Sequence, residues 1–250
     1  QRQMCIRDRV NNDVKLAVLS DLHAYDGIFS IDNKTIVKKI KRIDPDAVCV
    51  LGDMHSSNAD ETEKQISMDL MTGIIDEGYK LYFVLGEHDD RTNAYVDKME
   101  KNKIHVLDGE AEKITIGDTD LTFYGISNAF FSPSFDLTNE FDIDKSTYNI
   151  LLAHIPMYSD YEKFGADLTL CGDTHGGIIQ IPFLGPAYYN GKFVPELYED
   201  KNKIFDKGLF KYDGGYLFIT SGIGNYIGDY NIAARFNNRP EIAVLTISPE

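Results

Sequence analysis

Residues 80–90 read KLYFVLGEHDD. The apolar run Leu81-Tyr82-Phe83-Val84-Leu85 stops at Gly86, and Glu87, His88, Asp89 and Asp90 follow at once. A short run of Leu, Val and aromatics without polar alternation predicts a strand covered on both faces, as in a parallel sheet. Two runs upstream share the plan, VKLAVLS at 14–20 and DAVCVLG at 46–52. Between the runs the apolar period changes to that of a helix. Ile36, Val37, Ile40 and Ile43 form one stripe over 33–43, which Pro45 stops; Ile66, Leu70, Met71, Ile74 and Ile75 form another over 62–77, with Gly78 at its C-cap. A shorter helix is expected over 92–101 and a fourth strand at IHVL, 104–107. The first half therefore reads β-α-β-α-β-α.

The second half is strand-rich. Runs at 113–116, 121–126, 148–154, 167–172, 177–181, 216–222 and 241–247 carry strand patterns, and helical spacing is confined to about 157–164. Residues 184–215 read as a long surface excursion. Two strand-rich halves without a linker predict one α/β domain, a four-layer α-β-β-α sandwich of two stacked mixed sheets flanked by helices. Residues 1–9, QRQMCIRDR, show no periodicity and no initiator Met. They read as a non-native tail of sequencing-adapter type, leaving residues 10–250 as the domain.

The runs share a second property. LAVLSDLH ends in Asp21 and His23, AVCVLGD in Asp53, YFVLGEHD in Glu87 and His88, ILLAH in His154, and LTLCGDTH in Asp173 and His175. Carboxyl ends of parallel strands are where sites assemble. So many carboxylates buried together repel unless cations hold them. An Asp-x-His turn puts two donors on one side, and a carboxylate such as Asp53 can bridge two ions. Two divalent ions roughly 3.5–4 Å apart suit in-line attack of hydroxide on phosphorus.

SDLH (20–23), GD (52–53), GEHD (86–89), AHIP (153–156) and GDTHGG (172–177) occur in the order found in the calcineurin-like metallophosphoesterases, and the chain resembles that family over residues 14–250. The tail SGIGNY…ARFNNRPEIAVLTI is similar to the bacterial branch whose final motif is Gly-His-Thr-His-Gly-Gly. The resemblance implies one metal held by Asp21, His23, Asp53 and His175 and a second by Asp53, Glu87, His154 and Asp173. It implies that His88 acts as acid or hydrogen-bond donor on the leaving group, with Asp89 orienting it. Arg91 and Arg235 are candidate phosphate ligands.

Two positions depart from the family pattern, which has Asn where this chain has Glu87 and His where it has Asp173. Both add an anion to the same half of the site, giving four carboxylates with Asp21 and Asp53. The cofactors expected are two divalent ions, with Mn²⁺ favoured and Mg²⁺, Ca²⁺, Fe or Zn²⁺ as alternatives. A less positive site should favour monoanionic diesters over dianionic monoesters. The function expected is metal-dependent phosphoester hydrolysis through a bridging hydroxide. The alternative is a degenerate metal-binding scaffold that holds a phosphorylated ligand or a protein partner.

The net charge of −15 argues against a polynucleotide partner, because a phosphate backbone needs a basic track. A small phosphoester is the expected substrate. Three cysteines suggest no disulfide framework, and Cys49 and Cys171 read as buried thiols. No run reaches the roughly 18 apolar residues of a membrane span, and no signal peptide is visible. A lost N-terminus leaves the compartment open between cytoplasmic and membrane-anchored, and the sequence does not give the oligomeric state. His55 reads as a surface-loop histidine and His105 as structural. The tyrosines at 188, 189, 226 and 230 either line a groove or pack.

Overall fold

A computed structural model describes residues 2–25, 31–127, 136–182, 185–189, 192–193, 206–225 and 235–250. The three expected helical crossovers are present. Strands β2 (Val14–Leu19), β3 (Ala47–Val50), β4 (Leu81–Phe83) and β5 (His105–Val106) are parallel neighbours. The intervening helices are α1 (Asn33–Ile43), α2 (Glu61–Asp76) and α3 (Asn93–Lys101). Each starts on a residue whose side chain accepts from the first free N–H groups: Asp32, Asp60 with a Glu63 capping box, and Thr92.

The second sheet is built from β6 (Glu110–Ile116), β7 (Thr119–Gly125), β8 (Tyr148–Leu152), β9 (Leu168–Cys171), β13 (Gly208–Tyr212) and β14 (Gly215–Ile219), in the order β13-β14-β9-β8-β7-β6. β7, β8, β9 and β14 run parallel, and the hairpin partners β6 and β13 close the edges. Helix α4 (Tyr158–Phe164) lies on its outer face. A small antiparallel sheet, β10 (Ile179–Ile181), β11 (Gly185–Tyr189) and β12 (Lys192–Phe193), follows the last motif.

Alternation along the strands shows the layering. Val14, Leu16 and Val18 pack with Phe123, Ile150 and Leu168 between the sheets, while Ala17 and Leu19 turn to the α1–α3 side with Ile36, Ile40 and Ile74. On the far side Leu151, Leu217 and Ile219 meet Tyr161 and Phe164 of α4. The central strands β3, β8 and β9 are covered on both faces, which is why they lack polar alternation.

The segment expected to be a non-native tail forms a strand: β1 (Arg2–Asp8) pairs in parallel with β15 (Ala243–Pro249), which runs antiparallel to β2. Ile6 is buried, and Arg9 reaches the second sheet through both oxygens of Asp167, at 3.0 and 2.5 Å. Its burial alternates, with Gln3, Cys5 and Arg7 exposed and Met4 and Ile6 turned inward, as on an edge strand with one open face. Residues 184–215 are likewise not all surface excursion, since β11 and β13 lie within them.

Candidate metal centre

β2, β3, β4, β8 and β9 all point their carboxyl ends at one place, and the polar residues that end them converge there. Four overlapping sets bring donor atoms within 4.8 Å of one another: Asp21, His23 and His175; Asp21, Asp53 and His154; Asp53, Glu87 and His88; Glu87, His154 and Asp173. All seven expected metal ligands, and His88, are therefore in one chain of contacts.

The turns that deliver them are strained. Asp21, His23, Asp53, Asp173 and His175 have φ between 42° and 64°, a left-handed conformation that costs a non-glycine residue about 1–3 kcal/mol. Cross-links between turns offset that cost. Asp21 N–H donates to Gly52 O, His23 N–H to Asp53 O, Gly172 N–H to His154 O and Gly224 N–H to Asp21 O, at 2.8–3.0 Å. The approach leaves no room for side chains at two glycines. A Cβ on Gly86 would lie 2.1 Å from Asp53 Oδ1, and one on Gly172 would lie 2.1 Å from Ser20 Oγ.

Asp53 is the hub. Its Oδ1 accepts the His88 N–H at 2.9 Å. Its Oδ2 faces three imidazoles: His154 Nε2 at 3.2 Å, His23 Nε2 at 3.7 Å and His88 Nε2 at 3.9 Å. His154 Nδ1 donates to Leu51 O at 2.5 Å, so its Nε2 is the nitrogen left facing the cluster. His23 Nδ1 is similarly held, 3.3 Å from Ser56 Oγ. Asp21 Oδ2, His23 Nε2 and His154 Nε2 are buried without any hydrogen-bond partner. Buried polar atoms almost always have one. Three orphans aimed at one carboxylate-rich spot fit a bound cation, and the mixed oxygen and imidazole donors suit a divalent transition metal or Mg²⁺.

The titration behaviour carries the same tension. Burial lifts the Asp21 carboxyl to about 7, and burial, with Asp173 and Asp53 adding to it, also raises that of Glu87. Burial lowers His23 to about 4 and holds His175 well below the usual imidazole value. For Asp53, burial opposes ionisation, but the attraction of His154 and its neighbours wins and keeps it ionised. His154 is its counterpart: burial disfavours the charge, and Asp53 and Asp21 restore it. Between His154 and Asp53 a positive charge, proton or cation, is required.

Several side chains do other work than the sequence suggests. Asp89 does not orient His88. Its Oδ2 accepts from the N–H groups of Asp53 and Gly86 at 2.7 and 2.8 Å, and its Oδ1 accepts from Met54 at 2.9 Å. A carboxylate that satisfies three backbone donors at the ends of β3 and β4 braces the turns, and Ser57 Oγ takes the place beside His88 Nδ1 at 2.6 Å. Arg235 is not a free phosphate clamp. Its guanidinium donates to the carbonyls of Ser221, Gly224 and His175, and burial brings its pKa down to about 10. Arg91 is exposed and donates to Gly86 O at 3.3 Å, at the rim.

His55 is not on the surface. It is buried, and its Nε2 accepts the Asp90 N–H at 3.1 Å. His105 pairs with Glu112 at 2.8 Å, away from the site, and Cys49 and Cys171 are buried free thiols. Sequence reasoning missed Ser56, Ser57 and Asn238, which donates to His175 O. Ser56 and Ser57 carried one signal, their place just after the Asp53 turn. Tyr226 and Tyr230 lie outside the described residues, as do the side chains of Tyr188 and Tyr189.

Stacked mixed sheets carry a carboxylate and imidazole cluster at their converging strand ends, a donor set that suits divalent cations. The chain belongs to the calcineurin-like phosphoesterase family, whose model matches residues 14–177. It is 25% identical over 248 residues to the metallophosphoesterase YkuE of Bacillus subtilis (strain 168), covering 93% of this chain and 78% of that protein. It is 26% identical over 207 residues to the metallophosphoesterase Cj0846 of Campylobacter jejuni, covering 78% of this chain but only 53% of the relative. Among solved structures, the 5'-nucleotidase precursor of Thermus thermophilus shares the fold with a TM-score of 0.54 at 10% identity, over 94% of this chain and 54% of that one. No helix among the described residues is long and apolar enough to cross a membrane.

Proposed function

We propose that the chain hydrolyses a small phosphoester at a dinuclear centre. Asp21, His23, Asp53 and His175 would hold one divalent ion, and Asp53, Glu87, His154 and Asp173 the other. The observation that carries this reading is the convergence of the orphaned Asp21 Oδ2, His23 Nε2 and His154 Nε2 around Asp53. The ions, when bound, would make water a nucleophile at neutral pH and supply charge to stabilise the phosphoryl oxygens.

The residues of the chain account for the rest. Leu51 O keeps His154 in the ligating tautomer, and Ser56 Oγ stands against His23 Nδ1. Asp89 fixes the spacing of the Asp53 and Glu87 turns through three N–H groups. His88, partly exposed beside them, would face the leaving oxygen. One P–O bond forms to water and one breaks to the leaving group, which takes up the proton that water loses.

Glu87 and Asp173 make the second half of the site rich in carboxylate. That favours Mn²⁺, Mg²⁺ or Ca²⁺ over Zn²⁺ and a monoanionic diester over a monoester. The same two residues support a second reading, a scaffold that binds a phosphorylated ligand without turning it over. Assays of chromogenic monoesters and diesters with and without Mn²⁺ separate the two. Mn²⁺-dependent diester turnover is expected. Ligand binding without turnover under any metal would establish the scaffold, and much faster monoester turnover would overturn the charge argument.

A further inference from the structure

The turn that carries Asp173 and His175 holds a run of left-handed residues. Asp173, His175, Gly176, Gly177 and Ile178 all have φ between 45° and 70°. Glycine tolerates that, but a β-branched residue such as Ile178 is an outlier there, and such a conformation persists only where the surroundings over-determine it. Four consecutive residues from far along the chain, Arg235-Phe236-Asn237-Asn238, supply the surroundings. Asn238 Nδ2 donates to His175 O at 2.5 Å and Asn237 Nδ2 to Gln180 O at 3.4 Å. Phe236 N–H donates to Ile178 O at 3.2 Å, and Gln180 N–H donates to Phe236 O at 2.9 Å. The fit is close: a Cβ on Gly176 would lie 2.8 Å from Ser221 Cβ and 2.9 Å from Asn238 Oδ1.

Arg235 reaches further than its three neighbours. Its Nη1 donates to His175 O at 3.2 Å and to Ser221 O, and its Nε donates to Gly224 O at 2.8 Å. Gly224 N–H in turn donates to Asp21 O at 2.8 Å, and Ile223 N–H donates to Ser20 O at 2.9 Å. One planar guanidinium therefore spans the turn that delivers His175 and the strip of chain bonded to the turn that delivers Asp21. Its acceptors are backbone carbonyls, so the bracing does not depend on the protonation of any metal-binding side chain. We propose that Arg235 is a positioning residue that fixes the separation of Asp21 from His175, presetting the half of the site they form with His23. The consequence for metal affinity rests on the dinuclear reading of the site; the bracing of the two turns does not.

Two measurements on the full chain test this. In EDTA, amides of 173–178 and 221–224 should exchange with deuterium roughly tenfold faster in R235M and R235K than in the wild type, with amides of 53–57 and 86–90 unchanged. In Mn²⁺ titrations in the E87Q/D173N background, where the other half has lost two of its ligands, both variants should bind roughly tenfold more weakly. R235K separates charge from span, because lysine keeps the charge without the planar fork that reaches several carbonyls. N238A removes one bond to His175 O, leaves Arg235 in place, and should act in the same direction by a smaller factor. An R235K that matches the wild type while R235M does not would make charge the cause and overturn the proposal. Exchange that rises evenly along the whole chain, or that changes nowhere, overturns it as well. A wild type that binds no Mn²⁺ refutes the dinuclear reading instead, while the exchange rates still decide the brace.

Discussion

The two halves of the proposed metal centre are built differently. The half formed by Asp21, His23 and His175 is buried, two of its three residues are imidazoles, and all three sit in left-handed turns. The half formed by Glu87, His154 and Asp173 keeps a single imidazole. The Glu87 side chain is 41% exposed, and of the three only Asp173 has a positive φ. Strain in the first half is sustained by hydrogen bonds between turns from both sheets. That rigidity fixes donor geometry before an ion arrives and favours tight binding. The second half is more open, and its extra carboxylates bring charge in place of imidazole donors. Under the proposed dinuclear reading, the comparison predicts tight, less discriminating binding in the first half and weaker binding of hard cations in the second.

The largest way to break that comparison is to remove what the halves share. Asp53→Asn should empty both and lower kcat/KM on the order of 10³-fold or more, because charge stabilisation is lost along with the metals; retained turnover would show that Asp53 is no hub. Next, E87N with D173H returns the second half to the family pattern. Its preference should move from Mn²⁺ toward Zn²⁺, and the monoester-to-diester rate ratio should rise roughly tenfold, read by competition dialysis and by parallel assays. Ser56→Ala should weaken the first half about tenfold in metal affinity through loss of support to His23, leaving the second half unchanged, as titration calorimetry would report.

The smallest effect is a difference in stability without metal. The folded pKa of Asp21 is raised to about 7 from an ordinary 3.8, so its proton favours the fold and that contribution is lost as pH rises through 7. The lowered values of His23 and His175 act in the opposite sense but are common to both proteins compared. In EDTA, D21N should gain in melting temperature over the wild type as pH rises from about 4 to about 7. Saturating metal should reverse the order. A difference that stays flat with pH would contradict the burial of a free carboxyl there.

Much of the architecture is legible because parallel strands and their crossover helices leave distinct periods. The stripe Ile36, Val37, Ile40 and Ile43 matches α1, and the runs ending at Asp21, Asp53, Glu87, His154 and Asp173 are strands whose ends meet. What the sequence hides depends on pairing at a distance. Residues 2–8 are a strand only because β15, more than two hundred residues away, offers an edge. The partners of Asp89 are backbone N–H groups that no pattern of side chains announces, so its nearness to His88 in sequence misleads. His55 reads as a loop residue by its position, and the Asp90 turn packed against it decides otherwise. Ser57 reaches His88 across 31 positions, through the same turn.

Metal content, measured by mass spectrometry after loading with Mn²⁺ and desalting, tests the centre most directly when wild type and D53N are run side by side. Two ions per wild-type chain, and neither retained in D53N, is the outcome expected of a hub gripped from both sides. A wild type that carries no metal, or a D53N variant that keeps the same load, would mean that these buried donors face one another for some other reason.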